Sequence, residues 1–285
     1  MNRAIPYLKM NGLSNDFVVL DGRKSPIALS KQQVQNIANR QNGIGCDQLI
    51  ILEKPKNNKA DIFMRIYNFD GGEVNACGNA ARCIAALIAK ELGKGEIIIE
   101  TNAGLLPSSI DGEIVSVDMG VPLFDWQQIP LAEEFADTTG IELQVGPIDN
   151  PILHTPSVVN VGNPHAVFFV KDDIDNYNLD RFGPLLENHP IFPERANINL
   201  AQIIEPNHIK LRVWERGVGE TKACGTGACA TAICASRKDL TDREVIVDLI
   251  GGRLTIKWQQ SDNHIIMSGA YSLDGKGIIP NNLLV

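Results

Sequence analysis

The stretch Asn75-Ala76-Cys77-Gly78-Asn79-Ala80-Ala81 returns later in the chain as Lys222-Ala223-Cys224-Gly225-Thr226-Gly227-Ala228, an offset of 224 − 77 = 147 residues. Working outward at the same offset, Arg65-Ile66-Tyr67 corresponds to Arg212-Val213-Trp214, and Gly72-Glu73 to Gly219-Glu220. Farther upstream, Ser14-Asn15-Asp16-Phe17 falls opposite Gly162-Asn163-Pro164-His165, each followed by a β-branched and aromatic run that reads as a strand. Downstream, Asn102-Ala103-Gly104-Leu105-Leu106 falls opposite Ile250-Gly251-Gly252-Arg253-Leu254, with 252 − 104 = 148. Ordered matches at a near-constant offset are hard to obtain from chance Gly- and Ala-rich strings, so the chain reads as an internal duplication. The expected fold is α+β: two pseudo-symmetric lobes, each a mixed β-sheet or barrel around one central helix. The turn at Gly120-Val121-Pro122 marks the join. It gives an N-terminal lobe over residues 1–121 and a C-terminal lobe over 122–271, with the tail, 272–285, returning to the first lobe.

From Gly78 to Leu92 the residues suit a helix, with Lys90 complementing the last turn and Gly93 as the stop; Gly225 to Lys238 reads similarly. Small or apolar residues on nearly every face predict helices buried among the strands of their own lobes, with only the N-termini exposed. Cys77 and Cys224 stand at those N-termini. There the helix dipole and outward-pointing amides favour a thiolate, lowering the thiol pKa. Gly78 and Gly225 leave the same amides open to a carboxylate. If the pseudo-twofold axis runs through an interlobe cleft, the two thiols face each other across it. That arrangement suits inversion at carbon: one thiolate removes a proton from one face while the opposing thiol delivers a proton to the other. The active site is therefore expected in the interlobe cleft, dry and closed, with two helix dipoles to stabilise the carbanion. Such a reaction needs no cofactor in principle.

Composition narrows the field further. With 26 Lys plus Arg against 34 Asp plus Glu, the net charge is −8, which repels a phosphate backbone and argues against nucleic acid as a partner. The longest apolar stretch near a helix, Ile84 to Ala89, is far short of the roughly 20 residues that cross a bilayer, so no membrane partner is expected. The opening residues lack a hydrophobic signal core, and the expectation is a cytoplasmic protein whose six cysteines stay reduced. No dinucleotide-binding G-x-G-x-x-G after a strand, no phosphate-binding G-x-x-x-x-G-K-[ST] and no H-E-x-x-H is found. Cys83, Cys229 and Cys234 read as small apolar fillers inside helices and Cys46 as a buried thiol; Cys224, Cys229 and Cys234 are spaced to wind around a helix, so no metal site is expected.

At these residues the chain resembles the diaminopimelate epimerase family. The strings that carry the resemblance are Met10-Asn11-Gly12-Leu13-Ser14-Asn15-Asp16-Phe17, Arg65-Ile66-Tyr67-Asn68, Ala76-Cys77-Gly78-Asn79, Gly162-Asn163-Pro164-His165 and Glu215 to Thr221 followed by Ala223-Cys224-Gly225-Thr226-Gly227. The resemblance implies that Cys77 and Cys224 are the acid/base pair, one deprotonating the L,L substrate and the other the meso form. It implies that Gly78-Asn79 and Gly225-Thr226 bind the reacting carboxylate through backbone amides, and that Asn11, Gln48, Asn68, Asn163, Asn197, Glu215 and Arg216 hold the rest of the substrate. His165 and Glu215 would lie close enough to modulate the thiols. It further implies two similar lobes that close on the ligand, a homodimer, no cofactor, and a place in lysine and cell-wall precursor synthesis.

Where the halves differ, they can tell the substrate's ends apart: Asn68 lies opposite Glu215, Phe69 opposite Arg216 and Phe17 opposite His165. Arg216 suits a distal carboxylate and Glu215 a substrate ammonium. Two alternatives stand beside this reading: a proline or hydroxyproline racemase of the same fold, and a redox-sensing binding protein using the thiols as a reversible disulfide. The chain departs from the family pattern at Ser14, where Gly is usual, and after Met267-Ser268-Gly269-Ala270, where the usual Pro is missing and the C-terminal strand reads as shortened.

Overall fold

Several strands of this chain are apolar at consecutive positions rather than at alternate ones, the mark of a sheet covered on both faces. In the computed structural model, which describes residues 4–285, Phe17 to Leu20, Leu49 to Leu52 and Pro164 to Phe168 are buried at every position. The chain divides into two units, one running to Asp118 and taking back Ser268–Val285, the other Met119–Met267.

The first unit contains β1 (Pro6–Asn11), β2 (Asp16–Asp21), α1 (Lys31–Ala38), β3 (Gln48–Glu53), β4 (Ile62–Asn68), β5 (Glu73–Val74), α2 (Gly78–Leu92), β6 (Glu96–Thr101), β7 (Gly104–Asp111) and β8 (Ile114–Asp118). Strand β2 pairs antiparallel with β1 and parallel with β3; β4 pairs antiparallel with β3 and parallel with β6; β7 joins β6 antiparallel and β5 lies on β4. The second unit opens with a small hairpin of β9 (Gln144–Val145) and β10 (Leu153–His154), then continues through β11 (Ser157–Asn160), β12 (Pro164–Val170), α3 (Leu179–Glu187), β13 (Asn197–Glu205), β14 (His208–Glu215), β15 (Gly219–Thr221), α4 (Gly225–Arg237), β16 (Glu244–Leu249) and β17 (Gly252–Trp258). From β11 to β17 the pairing repeats that from β1 to β7 step for step: antiparallel, parallel, antiparallel, parallel, antiparallel, with β15 lying on β14. Each unit is thus one copy of the same α+β topology.

In each unit the second helix packs among its own strands, α2 against β1, β6, β7 and β8, and α4 against β11 to β14, β16 and β17. That is why both are nearly all small or apolar: from Gly78 to Ala86 every α2 residue is buried. The first helix of each unit covers the other sheet face. Val34, Ile37 and Ala38 of α1 pack on Val18, Leu20, Leu49 and Ile51, while Phe182 and Leu186 of α3 pack with Phe168, Ile198 and Leu200. Each fully buried aliphatic side chain there contributes about 1.5–3 kcal/mol.

The chain returns through β18 (Ile265–Ala270) and β19 (Ser272–Ile278), the latter pairing with β1. The register shifts between Lys9↔Gly275 and Met10↔Leu273, a bulge that accommodates Asp274. The C-terminal strand, expected to be shortened, is therefore present over its seven residues. Beyond it, Ile279 and Leu283 join the α1 cluster and Gln33 Nε2 donates to the Leu284 carbonyl at 2.6 Å. Leu13 and Ser14, between β1 and β2, both take left-handed backbone angles at φ 62°, so the residue in the usual glycine place keeps the glycine conformation at some strain.

Candidate active site

The two thiols are built alike. Cys77 caps α2 with extended backbone angles, and its Sγ accepts from the Ala80 amide at 3.5 Å; Cys224 caps α4 and accepts from the Gly227 amide at 3.3 Å. A serine or aspartate at such a position satisfies the third helical amide with oxygen, and here sulfur takes that place in both copies. The first amides of each helix, from Gly78 and Asn79 and from Gly225 and Thr226, point outward along its axis. Gly227 carries a steric demand of its own: a Cβ there would sit 2.9 Å from Val213 Cγ2 and 3.2 Å from Cys224 Sγ.

The environments of the two thiols then diverge. Cys77 is half-buried, whereas Cys224 is 4% exposed. Glu215 hydrogen-bonds to the Cys224 thiol and takes a second bond from the Thr221 hydroxyl. Burial, reinforced by the Glu215 charge, holds Cys224 well above the ordinary thiol range; bonds from Thr226 and the Gly227 amide work the other way and lose. The lowering expected from the helix terminus is therefore overturned at Cys224, because removing the thiolate from water outweighs the dipole. Burial also raises Glu215 above the ordinary carboxylate range. The pair can hold one proton between sulfur and carboxylate, with neither group comfortable as an anion.

In the first unit, Gln48 and Asn68 stand opposite each other on β3 and β4, and Gln48 Nε2 donates to Asn68 Oδ1 at 3.0 Å. The Gln48 Oε1 is buried with no donor among the described residues. Asn11, at the end of β1, donates to Asp16 Oδ1 at 2.8 Å and accepts from the Ser14 amide at 2.9 Å. Asp16 is in turn clamped by Arg40 at 2.7 Å, and Arg40 also reaches Asp47.

In the second unit, Asn197 donates to the Pro164 carbonyl and accepts from the Arg216 amide at 3.0 Å. The Arg216 guanidinium donates to the Glu194 carbonyl at 2.8 Å. His165 is wholly buried, its ring nitrogens each 3.0 Å from an asparagine oxygen, Asn199 at Nδ1 and Asn163 at Nε2. Of the two residues expected to modulate the thiols, Glu215 touches Cys224 directly, while His165 reaches the start of α4 through Asn199. Burial drives His165 down to about 4, with the Arg216 charge adding to the effect and the Asn199 bond opposing it.

Two residues that the sequence reading passed over brace this set. Glu187, at the end of α3 and 5% exposed, accepts from Trp214 Nε1 and from the Gly217 amide, both at 2.8 Å, and pairs with Arg195 at 3.2 Å. It thereby holds both sides of the turn that carries Glu215 and Arg216. Asn199, fully buried on β13, donates to the Gly227 carbonyl at 2.9 Å and to Thr231 Oγ1 at 3.0 Å. A polar residue inside the otherwise apolar run Ile198 to Ala201 was the available signal. Glu73 and Glu220, matched positions of the repeat, each pair with the arginine opposite, Arg65 at 2.6 Å and Arg212 at 2.7 Å. Burial pushes the Cys46, Cys83 and Cys234 thiols to about 12, in keeping with fillers. Among the described residues there is no cluster of three or more His, Cys, Asp or Glu fit to hold a metal, and no helix long and apolar enough to cross a membrane.

Comparison with known proteins places this arrangement. Among solved structures, a predicted epimerase from Pseudomonas aeruginosa superposes with a TM-score of 0.67 at 18% identity, covering 96% of this chain and 98% of that one. A hydroxyproline epimerase from Agrobacterium vitis gives 0.68 at 15% identity, covering 98% and 93%. At such identities these establish a shared fold alone. Sequence relatives are much nearer: a diaminopimelate epimerase of Afipia carboxidovorans is 52% identical over 97% of this chain and 96% of its own length, and one of a Bradyrhizobium strain is 51% identical over 95% and 93%. The family pattern described as diaminopimelate epimerase matches residues 7–124 and 157–273, one stretch for each repeat, so the chain belongs to the diaminopimelate epimerase family of isomerases.

Proposed function

We propose that this protein interconverts L,L- and meso-diaminopimelate without a cofactor, Cys77 and Cys224 acting as the two bases on opposite faces of the α-carbon. The observation that carries the reading is the pair of matching cysteine N-caps, one in each copy of a duplicated fold, each followed by a glycine. In one direction a thiolate takes the α-proton while the C–H electron pair remains as a carbanion. The other thiol gives its proton to the opposite face and becomes the thiolate, so one proton has moved in and one out. The reverse reaction exchanges the roles, in keeping with a Cys-Gly pair that recurs in both copies. The amides of Gly78-Asn79 and Gly225-Thr226 hold the reacting carboxylate, and their fixed dipoles stabilise the charge that develops on it.

When Cys224 is the base, Glu215, hydrogen-bonded to it, accepts the thiol proton, and the sulfur so released takes the α-proton although burial disfavours an unaccompanied anion there. The remaining asymmetric residues select the distal end. Arg216 presents a planar fork for the second carboxylate, Glu215 accepts from an ammonium, and Asn11, Gln48, Asn68, Asn163 and Asn197 supply amide donors and acceptors. The product serves lysine and cell-wall precursor synthesis in the cytoplasm, and the enzyme works as a homodimer.

The test offers L,L-diaminopimelate, meso-diaminopimelate and L-proline to reduced protein stripped of bound small molecules, following α-hydrogen exchange and inversion. Exchange with diaminopimelate alone supports the assignment. Turnover of proline alone keeps the mechanism and replaces the substrate, and inactivity of folded, reduced protein towards all three favours the redox-sensing alternative.

A further inference from the structure

His165 faces two amide oxygens with one hydrogen to give: Nδ1 lies 3.0 Å from Asn199 Oδ1 and Nε2 lies 3.0 Å from Asn163 Oδ1. A neutral imidazole donates from one nitrogen and accepts at the other. Which nitrogen holds the hydrogen is decided by Asn199. Its Nδ2 points at the backbone carbonyl of Gly227, 2.9 Å away, and at Thr231 Oγ1. A carbonyl only accepts, so the Asn199 amide cannot turn over without setting two oxygens against each other in a wholly buried site. Its Oδ1 is thus committed to the imidazole and requires a hydrogen from it. Among the described residues the Asn163 side chain has no second hydrogen bond of this kind, so its amide is the one free to rotate and offer N–H instead of oxygen.

We propose that Asn199 is a positioning residue that holds His165 as the neutral Nδ1–H tautomer, leaving the Nε2 lone pair on the Asn163 side as a proton acceptor. The competing state is an imidazolium donating to both oxygens. Against it stand complete burial and the nature of the charged group that bears on the ring, the Arg216 cation; together they keep His165 at about 4. The bearing of this tautomer on catalysis rests on the function proposed above. With its hydrogen on Nδ1, His165 presents an acceptor on the Asn163 side at neutral pH, where a turned Asn163 amide can donate to it; as an Nε2–H tautomer it could only donate there. Asn199 also holds the carbonyl of Gly227, whose amide donates to Cys224 Sγ at 3.3 Å. One side chain therefore sets both the histidine tautomer and the first turn that carries the thiol.

The test is a long-range ¹H–¹⁵N correlation on protein labelled at histidine, with the His165 pattern assigned by its loss in His165→Gln. The expected pattern is a protonated Nδ1 and a bare Nε2, unchanged from neutral pH down to about pH 5. A protonated Nε2 with bare Nδ1, or a ring protonated at both nitrogens at neutral pH, overturns the proposal. Asn199→Asp places a charge against Nδ1 and should raise the His165 titration into the neutral range; an unmoved titration in folded protein counts equally against it. Because these measurements read ring nitrogens and not turnover, they succeed or fail independently of the two-thiol mechanism.

Discussion

Replacing Glu187 by alanine tests whether the turn bearing Glu215 and Arg216 is held from behind. The substitution removes the acceptor of Trp214 Nε1 and of the Gly217 amide, each bonded at 2.8 Å, and the ion pair to Arg195. The indole N–H is left in a largely apolar setting, at a cost of about 2 kcal/mol, whereas the Gly217 amide lies in an exposed turn and regains water at a cost nearer 1 kcal/mol. The pair with Arg195, whose side chain is half exposed, adds less than about 1 kcal/mol. The expected loss is about 3–4 kcal/mol, or roughly 10 °C in a thermal melt of a protein of this size. Glu187→Gln, which keeps one acceptor, should lose about half as much. Steady-state kinetics should show KM for diaminopimelate rising together with a fall in kcat, because the proposed Arg216 fork and Glu215, the hydrogen-bond partner of Cys224, ride on the same turn. A stability of Glu187→Ala within about 0.5 kcal/mol of the parent, or a kcat defect with unchanged KM, refutes the brace.

Other expectations follow from particular contacts. Because His165 is held to about 4 against an ordinary 6.5, the unfolded chain binds a proton below pH 6.5 that the native protein refuses. Its contribution is therefore complete above 6.5 and is lost as pH falls towards 4, by up to about 3 kcal/mol, and the slope of urea stability against pH over that window should flatten in His165→Gln. Gly227→Ala places a methyl 2.9 Å from Val213 Cγ2 and 3.2 Å from Cys224 Sγ, and should cost about 1–3 kcal/mol and most of the turnover. A Gly227→Ala protein with parental melting and rate would show that the α4 cap tolerates the intrusion. Ser14→Gly relieves a residue at φ 62° and should raise stability by up to about 1 kcal/mol in urea titration; a destabilised variant would mean that the serine side chain contributes more than its backbone strain costs.

The duplication could be read from the sequence because it left the same short strings at the same spacing, and the α2 boundaries from Gly78 to the left-handed Gly93 follow from local helix chemistry. Local chemistry also placed both cysteines at helix starts. It could not place Glu187 or Asn199, since each acts through partners that sequence separates widely. Glu187 ends an amphipathic helix and reads as a solvent charge until Trp214 and Gly217 are folded against it. The state of Cys224 was misread for a related reason: the helix dipole is a local property, but the burial and the Glu215 charge that outweigh it are tertiary. Glu73 and Glu220 were seen as equivalent in the two halves, and their common purpose, an ion pair to the arginine across the turn, became visible only with the strands paired.

The two-base assignment meets its most direct test in deuterated buffer, starting from L,L-diaminopimelate and stopping at low conversion, with the parent and with Cys77→Ser and Cys224→Ser. Thiols exchange with solvent, so the parent should place deuterium at the α-carbon of the meso product while the recovered L,L substrate stays largely protiated, and each serine variant should lose inversion while remaining folded. Equal deuteration of substrate and product by the parent, or near-parental inversion by either variant, would contradict the two-thiol account.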